Sequence, residues 1–254
     1  MEPQAYPILE FDPERRAIIE PHGRARKAVP PVAVLCFFHE VFEHLLAQHQ
    51  PQVVHHLASE MGKHPVYQLE FAGQPFVYVH PGVGAPIAAG FLEEMIAIGC
   101  TRVVACGGAG VLDGTVALGH VIIPTAAVRD EGTSYHYLPP AREIAADAEA
   151  VATLQRVAEA HNVPHQLAKT WTTDAIYRET SARIARRRAE GCLTVEMECA
   201  AFFAVAQFRG IRFGQYLYGG DDVSGTEHDL RGWDKQTSVR EQLFWLAAEA
   251  ALAL

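Results

Sequence analysis

The sequence predicts an α/β protein, a three-layer α/β/α sandwich around a mixed central sheet. Short β-branched and apolar runs alternate with longer helix-patterned stretches along most of the 254 residues. Two such runs, 66–71 and 74–80, flank Ala72 and Gly73 at hairpin spacing, so the sheet holds an antiparallel pairing. Polar and glycine-rich segments repeatedly follow strands, where sheets of this kind bind ligands.

Residues 1–28 are polar and interrupted by proline, which reads as an arm ahead of a single domain over 29–254. The apolar run 31–38 has the length of a buried strand, and Val41, Leu45 and Leu46 follow at helical spacing. Residues 85–98 read as a helix ended by Gly99. Residues 102–106 and 120–124 are short buried strands, and 142–161 is an Ala- and Glu-rich helix. A strand over 166–172 precedes helices over 180–190 and 198–208, each closed by a glycine, Gly191 or Gly210. A strand over 211–218 and a helix over 238–254, capped by Thr237 or Ser238, complete the chain.

The formal net charge is −9, which argues against nucleic acid or an anionic membrane as a partner. Basic residues gather at Arg24, Arg26 and Lys27 and over 183–188; acids flank the second group, which reads as a solvated helix face. Five scattered cysteines suit reduced thiols and a cytoplasmic location better than a disulfide framework. The first residues carry Glu2, Pro3 and Glu10 without an apolar stretch, unlike a secretory signal, and no apolar run approaches membrane-spanning length.

The most informative segment is 193–206. Thr194 and Val195 end on Glu196, Met197 and Glu198, and an apolar helix begins at once. Paired carboxylates at the edge of a hydrophobic core are costly unless something occupies them. A helix N-terminus tolerates acids, so two capping glutamates are one reading. The other is a carboxylate that accepts hydrogen bonds from vicinal hydroxyls, as a ribose offers. Asp221 follows an apolar strand across Gly219 and Gly220, which free the backbone angles and stand its carboxylate over open space. Asp222 takes that place if the loop slips by one, and a turn-capping aspartate is the plainer alternative.

VEME at 195–198 resembles the ribose-binding signature of the nucleoside phosphorylase family, which includes uridine phosphorylases, hexameric purine nucleoside phosphorylases and methylthioadenosine nucleosidases. PGVGAP (81–86), CGGAG (106–110), GHVIIPTAAVRDEG (119–132), TTDAIY (172–177) and GGDDVS (219–224) resemble further blocks, in the family's order. The resemblance implies the family's fold, whose sheet partly closes into a barrel. It implies cleavage of a purine or pyrimidine nucleoside to free base and ribose 1-phosphate, with no cofactor and with inorganic phosphate as co-substrate. It implies a homo-oligomer, a dimer or a trimer of dimers. Glu198 becomes the sugar anchor with Met197 against the ring, Glu196 the weaker acid, and Asp221 the group that meets the departing base. Thr173, Ile176, Tyr177, Arg178 and Glu179 become base-site candidates.

The phosphate grip departs from the family pattern. Residues 36–40 read CFFHE where a glycine turn ends in a phosphate-binding arginine, so Glu40 stands where a cation belongs. Ala105 replaces a second arginine, Gly108 a threonine, and a third arginine falls near Gly62, with Lys63 the nearest cation. Backbone amides of Gly107, Gly108 and Gly110 remain as an anion nest. Hydrolytic members carry a water-activating glutamate near this position, so Glu40 as general base is the alternative, with a solvated helix acid the plainest reading. A nucleoside-binding protein without turnover is the third. The uracil-reading pair of uridine phosphorylases is replaced by Thr180 and Ala182. Arg129, Asp130 and Glu131 with Tyr135, His136 and Tyr137 form a polar-aromatic cluster open to substrate contact or a subunit interface.

Other motifs fail. His39 and His44 superficially resemble a zincin pair but lie roughly 140° apart around a helix of ~100° per residue. His55 and His56 are adjacent and read as solvent-facing. Gly82 and Gly84 are followed by Ile87 where a dinucleotide fingerprint needs glycine. Cys199 lies on an apolar helix face, the usual place of a packing thiol.

Overall fold

The computed structural model describes residues 3–21 and 29–254. Glu2 and the cluster Arg24, Arg26 and Lys27 therefore lie outside the described residues. Ten strands form one sheet. They are β1 (Val32–Cys36), β2 (Gln52–Ser59), β3 (Gly62–Phe71), β4 (Gln74–Val79), β5 (Arg102–Val111), β6 (Val121–Asp130), β7 (Glu143–Ala145), β8 (His165–Thr173), β9 (Cys192–Glu196) and β10 (Arg212–Asp222). The path runs β10-β6-β8-β9-β5-β1-β4-β3-β2, and β10 pairs β5 as well. That extra pairing closes five strands into a ring, while β1, β4, β3 and β2 extend it as an open sheet. The mixed, partly barrel-like sheet is as expected.

Helices cover both faces. Helices α2 (Ala85–Ala97) and α5 (Cys199–Arg209) pack together with Leu35, Val79 and Val103 in one core. Helices α1 (His39–His49), α3 (Ala148–Ala160) and α6 (Thr237–Ala253) pack with Val34, Tyr78, Tyr216 and Tyr218 in the other. Alternate residues of one strand thus enter opposite cores, as the two-residue period of a sheet requires. The sixth helix, α4 (Ser181–Ala189), buries Ile184 and Arg187 beside β9.

Several boundaries differ from the sequence reading. Residues 142–161 split: Glu143–Ala145 pair with β6, and the helix starts only after Asp147, whose side chain accepts from the amides of Glu149 and Ala150. Helix propensity there yields to an unpaired sheet edge and a capping aspartate. Strand β2 went unforeseen because its outward face carries polar residues; His55 within it is half-buried, not solvent-facing, while His56 is exposed. The cap position of α6 is Gln236, without a side-chain bond, rather than Thr237 or Ser238. The glycine-rich stretch 106–110 is not a loop but the second half of β5. His39 and His44 face different partners, Glu43 at 3.4 Å and Glu241 at 2.7 Å.

The polar-aromatic cluster after β6 is a set of internal ties. Arg129 donates to Ser134 Oγ and to the carbonyls of Pro139 and Leu138, and lies over the Tyr135 ring at 4.2 Å. Nearby, Asp130 accepts from Trp171 Nε1 at 3.0 Å and from Arg187 Nη2 at 2.9 Å, which joins β6, β8 and α4. Replacing Arg187 by Met leaves Asp130 with only the longer charge contact, to Arg183 at 3.6 Å, and an unfolding free energy lower by about 1–3 kcal/mol is expected from urea denaturation. A loss below about 0.5 kcal/mol shows that the tie is dispensable.

Candidate active site

Strand β1 pairs with β5 as far as Cys36 against Cys106, and the last contact is Phe37 N–H to the Cys106 carbonyl at 3.1 Å. Beyond it β5 runs on to Val111 alongside β10 and β9 alone. The departure of β1 opens a cavity of about 260 Å³ above the glycine-rich half of β5. Phe37 and Phe38 wall one side, Val195–Glu198 another, and Asp221, Trp233 and Arg240 complete it.

Gly107, Gly108 and Gly110 all line this cavity, and each is needed for room. A Cβ there would lie 3.0 Å from Phe37, 3.2 Å from Tyr218 and 3.1 Å from Val195, respectively. None has positive φ, and all are strand residues. The expected anion nest is therefore corrected: a nest needs alternating right- and left-handed backbone, and this backbone is extended. The same correction applies to Gly219 and Gly220. Neither is left-handed; a Cβ would meet Val111 at 3.1 Å or the Ala109 carbonyl at 3.3 Å.

The two glutamates of the opening segment separate cleanly. Glu196 accepts from Thr172 Oγ1 at 2.6 Å and from the amides of Glu198 and Cys199 at 2.7 and 2.6 Å. It caps α5, the arrangement that a helix N-terminus favours for an anion. Glu198 accepts from Gly84 N–H at 2.5 Å and has its second oxygen available. That amide is presented by a turn in which Gly82 and Gly84 have φ of +77° and +97°, a conformation that disfavours any side chain. Burial pushes both carboxyls up, and Glu196 repels charge on Glu198. The three donors around Glu196 keep the negative charge there, so the shared proton resides on Glu198.

At the far end, Asp221 Oδ2 lies 2.7 Å from His228 Nε2, and Glu179 and Ile176 face the same space. A register shift between Gly219 and Asp222 turns the Asp221 carboxylate toward Gly110. Asp222 instead accepts from Ser224 N–H and bridges to Asp229, which is a turn-forming role. Burial, then repulsion from Asp221, pushes Glu179 up to about 7. Thr173, Tyr177 and Arg178 do not line the cavity: the Thr173 hydroxyl accepts from Ala175 N–H, and the other two are exposed.

Glu40 does not line the cavity either. Its Oε1 sits 2.5 Å from Arg240 Nη1, behind the arginine that does. Sequence reasoning missed Arg240, Gln215, Trp233, His228, Phe37, Phe38 and Val83. Two carried a signal. Arg240 shares a helical stripe with Leu243, Phe244 and Ala247, all buried, and Gln215 interrupts an apolar strand. A larger groove of about 880 Å³ lies under the N-terminal arm, but its Glu93 is tied to Arg209 at 2.8 Å. Among the described residues no group of three or more His, Cys, Asp or Glu is placed to hold a metal ion.

The family described as the Phosphorylase superfamily matches residues 31–243. A guanosine phosphorylase of Halorubrum lacusprofundi is 27% identical over 187 residues, covering 73% of this chain and 76% of its own. In fold, the chain is similar to a uridine phosphorylase of Vibrio fischeri, with TM-score 0.74, 22% identity and coverage of 89% and 92%. It is also similar to a purine nucleoside phosphorylase of Toxoplasma gondii solved with immucillin-H, with TM-score 0.73, 20% identity and coverage of 92% and 98%. With a match that spans most of its length, the chain belongs to the phosphorylase superfamily.

Proposed function

We propose that the chain is a nucleoside phosphorylase that cleaves purine nucleosides to the free base and ribose 1-phosphate. The observation that carries this reading is the cavity with Glu198 at one end and Asp221, held by His228, at the other. A sugar whose hydroxyls meet Glu198 and Met197 points its base toward Asp221. The glycosidic electron pair leaves with the base, and the base takes a proton as the C1′–N bond breaks. Burial favours the protonated form of Glu179, which lines the cavity with Asp221, so a proton is at hand. A phosphate oxygen then bonds to C1′, and the negative charge held on Glu196, which lines the cavity, stabilises a positively polarised sugar carbon meanwhile.

Purine rather than uracil is favoured because Thr180 and Ala182, at the uracil-reading positions, are exposed and off the cavity wall. Exposed Val83, Ile176 and Tyr177 lie at or beside the open side of the cavity, which suits coverage by a second copy of the chain. Five buried free cysteines suit the cytoplasm. No helix among the described residues is long and apolar enough to cross a membrane.

Base release from inosine or guanosine is expected only with phosphate or arsenate present; equal release in their absence excludes phosphorolysis. Replacing Asp221 by Asn is expected to lower kcat on purine nucleosides about 100-fold while sparing 7-methylguanosine, whose base leaves without needing a proton. Equal losses on both substrates remove Asp221 as the proton donor. Glu179 is protonated below about pH 7 and loses its proton above it, so kcat/KM is expected to fall as pH rises through 7. Glu179→Gln is expected to flatten that limb.

Glu198→Gln separates binding from stability. A carboxyl raised from 4.5 to about 8 by folding costs nothing below pH 4.5, progressively more between pH 4.5 and about 8, and a constant amount above that. The variant is therefore expected to melt higher than the native protein at pH 8.5 and alike at pH 4, with kcat/KM lowered roughly 100-fold. A lower melting temperature at pH 8.5 contradicts the assigned proton.

A further inference from the structure

The phosphate arginines expected of a phosphorylase are absent from β1 and β5, yet one cation, Arg240, lines the cavity. Arg240 projects from α6 and is 6% exposed. Its guanidinium lies 4.5 Å from the Phe38 ring and 5.3 Å from the Trp233 ring, contacts that fix its plane. Its Nε is buried without a hydrogen-bond partner. Gln215, on β10 opposite Ala105 and 2% exposed, lines the same cavity and leaves its Oε1 unpartnered.

Buried polar atoms almost always find partners, so an orphan on each of two residues that line one cavity marks side chains whose hydrogen bonding is left open in the free chain. A purely structural arginine looks different here. Arg231 spends Nε and Nη2 on the Gly220 carbonyl and Nη1 on the Val116 carbonyl. Arg240 makes one long backbone contact, Nη1 to the Asp234 carbonyl at 3.3 Å, and one charge contact, to Glu40.

The geometry points to Arg240 and Gln215 as a rebuilt oxyanion subsite that receives inorganic phosphate beside Gly108, with Glu40 as the anion that phosphate must displace or outcompete. The position of Trp233 against both Arg240 and the Gly108 site ties the subsite to the β5 floor, since a Cβ on Gly108 would lie 3.8 Å from that indole. Gln215 contributes its amide N–H groups once its orientation is set by the ligand, because Oε1 and Nε2 exchange places by a simple flip. The cationic anchor has moved from the β1 turn to α6. This inference rests on phosphorolysis as the reaction, but the binding it asserts is measurable without turnover.

The test is titration of the full chain with inorganic phosphate, read by tryptophan fluorescence and by steady-state kinetics at saturating nucleoside. Arg240→Met is expected to raise the phosphate KM at least about tenfold with the nucleoside KM within about twofold, and Arg240→Lys to recover part of the loss. Glu40→Gln, which frees the cation, is expected to lower the phosphate KM; it also serves if Arg240→Met fails to fold. An unchanged phosphate KM and fluorescence response in Arg240→Met, or weaker phosphate binding in Glu40→Gln, overturns the inference. Phosphate binding that depends on Arg240 without any base release upholds the subsite and sinks phosphorolysis. No phosphate binding by the native chain sinks the subsite.

Discussion

The hydrogen bonds to Glu196 hold the site together. This carboxylate ends β9, takes the first amides of α5 and receives the Thr172 hydroxyl from β8. Thr172 Oγ1 in turn accepts from the amide of Ala200, so the strand pair and the helix start are closed into one network. Three donors aimed at one buried anion are strong because few waters compete for it. The place of Glu198 follows, since it occupies the cap position of the same helix. With Glu196 holding the charge, Glu198 is left to hold a proton and face the cavity. The two acids that look interchangeable in sequence thus differ because only one of them sits at the focus of backbone donors.

The cavity itself comes from sheet topology. Five strands close on themselves where β10 joins β5, and β1 leaves the sheet at Cys36. Closure fixes the far end, departure opens the near one, and the cavity lies between. The register shift near Gly219 and Gly220 then places Asp221 across from Glu198. Glu198 follows β9 at the start of α5 and Asp221 lies on β10, so backbone hydrogen bonds rather than flexible loops hold both acids.

Much of the fold was legible in the chain. The buried strands around 31–38 and 211–218, the hairpin at Ala72 and Gly73, and helices α2, α4 and α5 all follow from apolar periodicity and end signals. What escaped has physical reasons. Strand β2 is polar on its exposed face, and β7 lies inside a stretch of strong helix formers, so pairing with β6 overrode local propensity. In the site, Glu198 and Asp221 were found because acids follow strands there, whereas Thr173, Tyr177 and Arg178 were grouped by adjacency and face elsewhere. Gln215 and Arg240 were overlooked although each breaks an apolar pattern. A polar residue on a buried stripe needs a partner whether it is an acid, an amide or a cation. The glycines were read for their backbone freedom, when most of them serve by having no side chain.

That last property reaches further. The floor of the cavity is main chain at Gly107, Gly108 and Gly110, crowded from beneath and beside by Phe37, Tyr218 and Val195. Any larger residue there presses on these side chains, so a substitution in the floor requires the scaffold around it to shift. The rim makes no such demand: Val83, Ile176 and Glu179 come from turns whose side chains exchange without disturbing the strands. Substitutions are thus expected to change the rim of the cavity more readily than its floor.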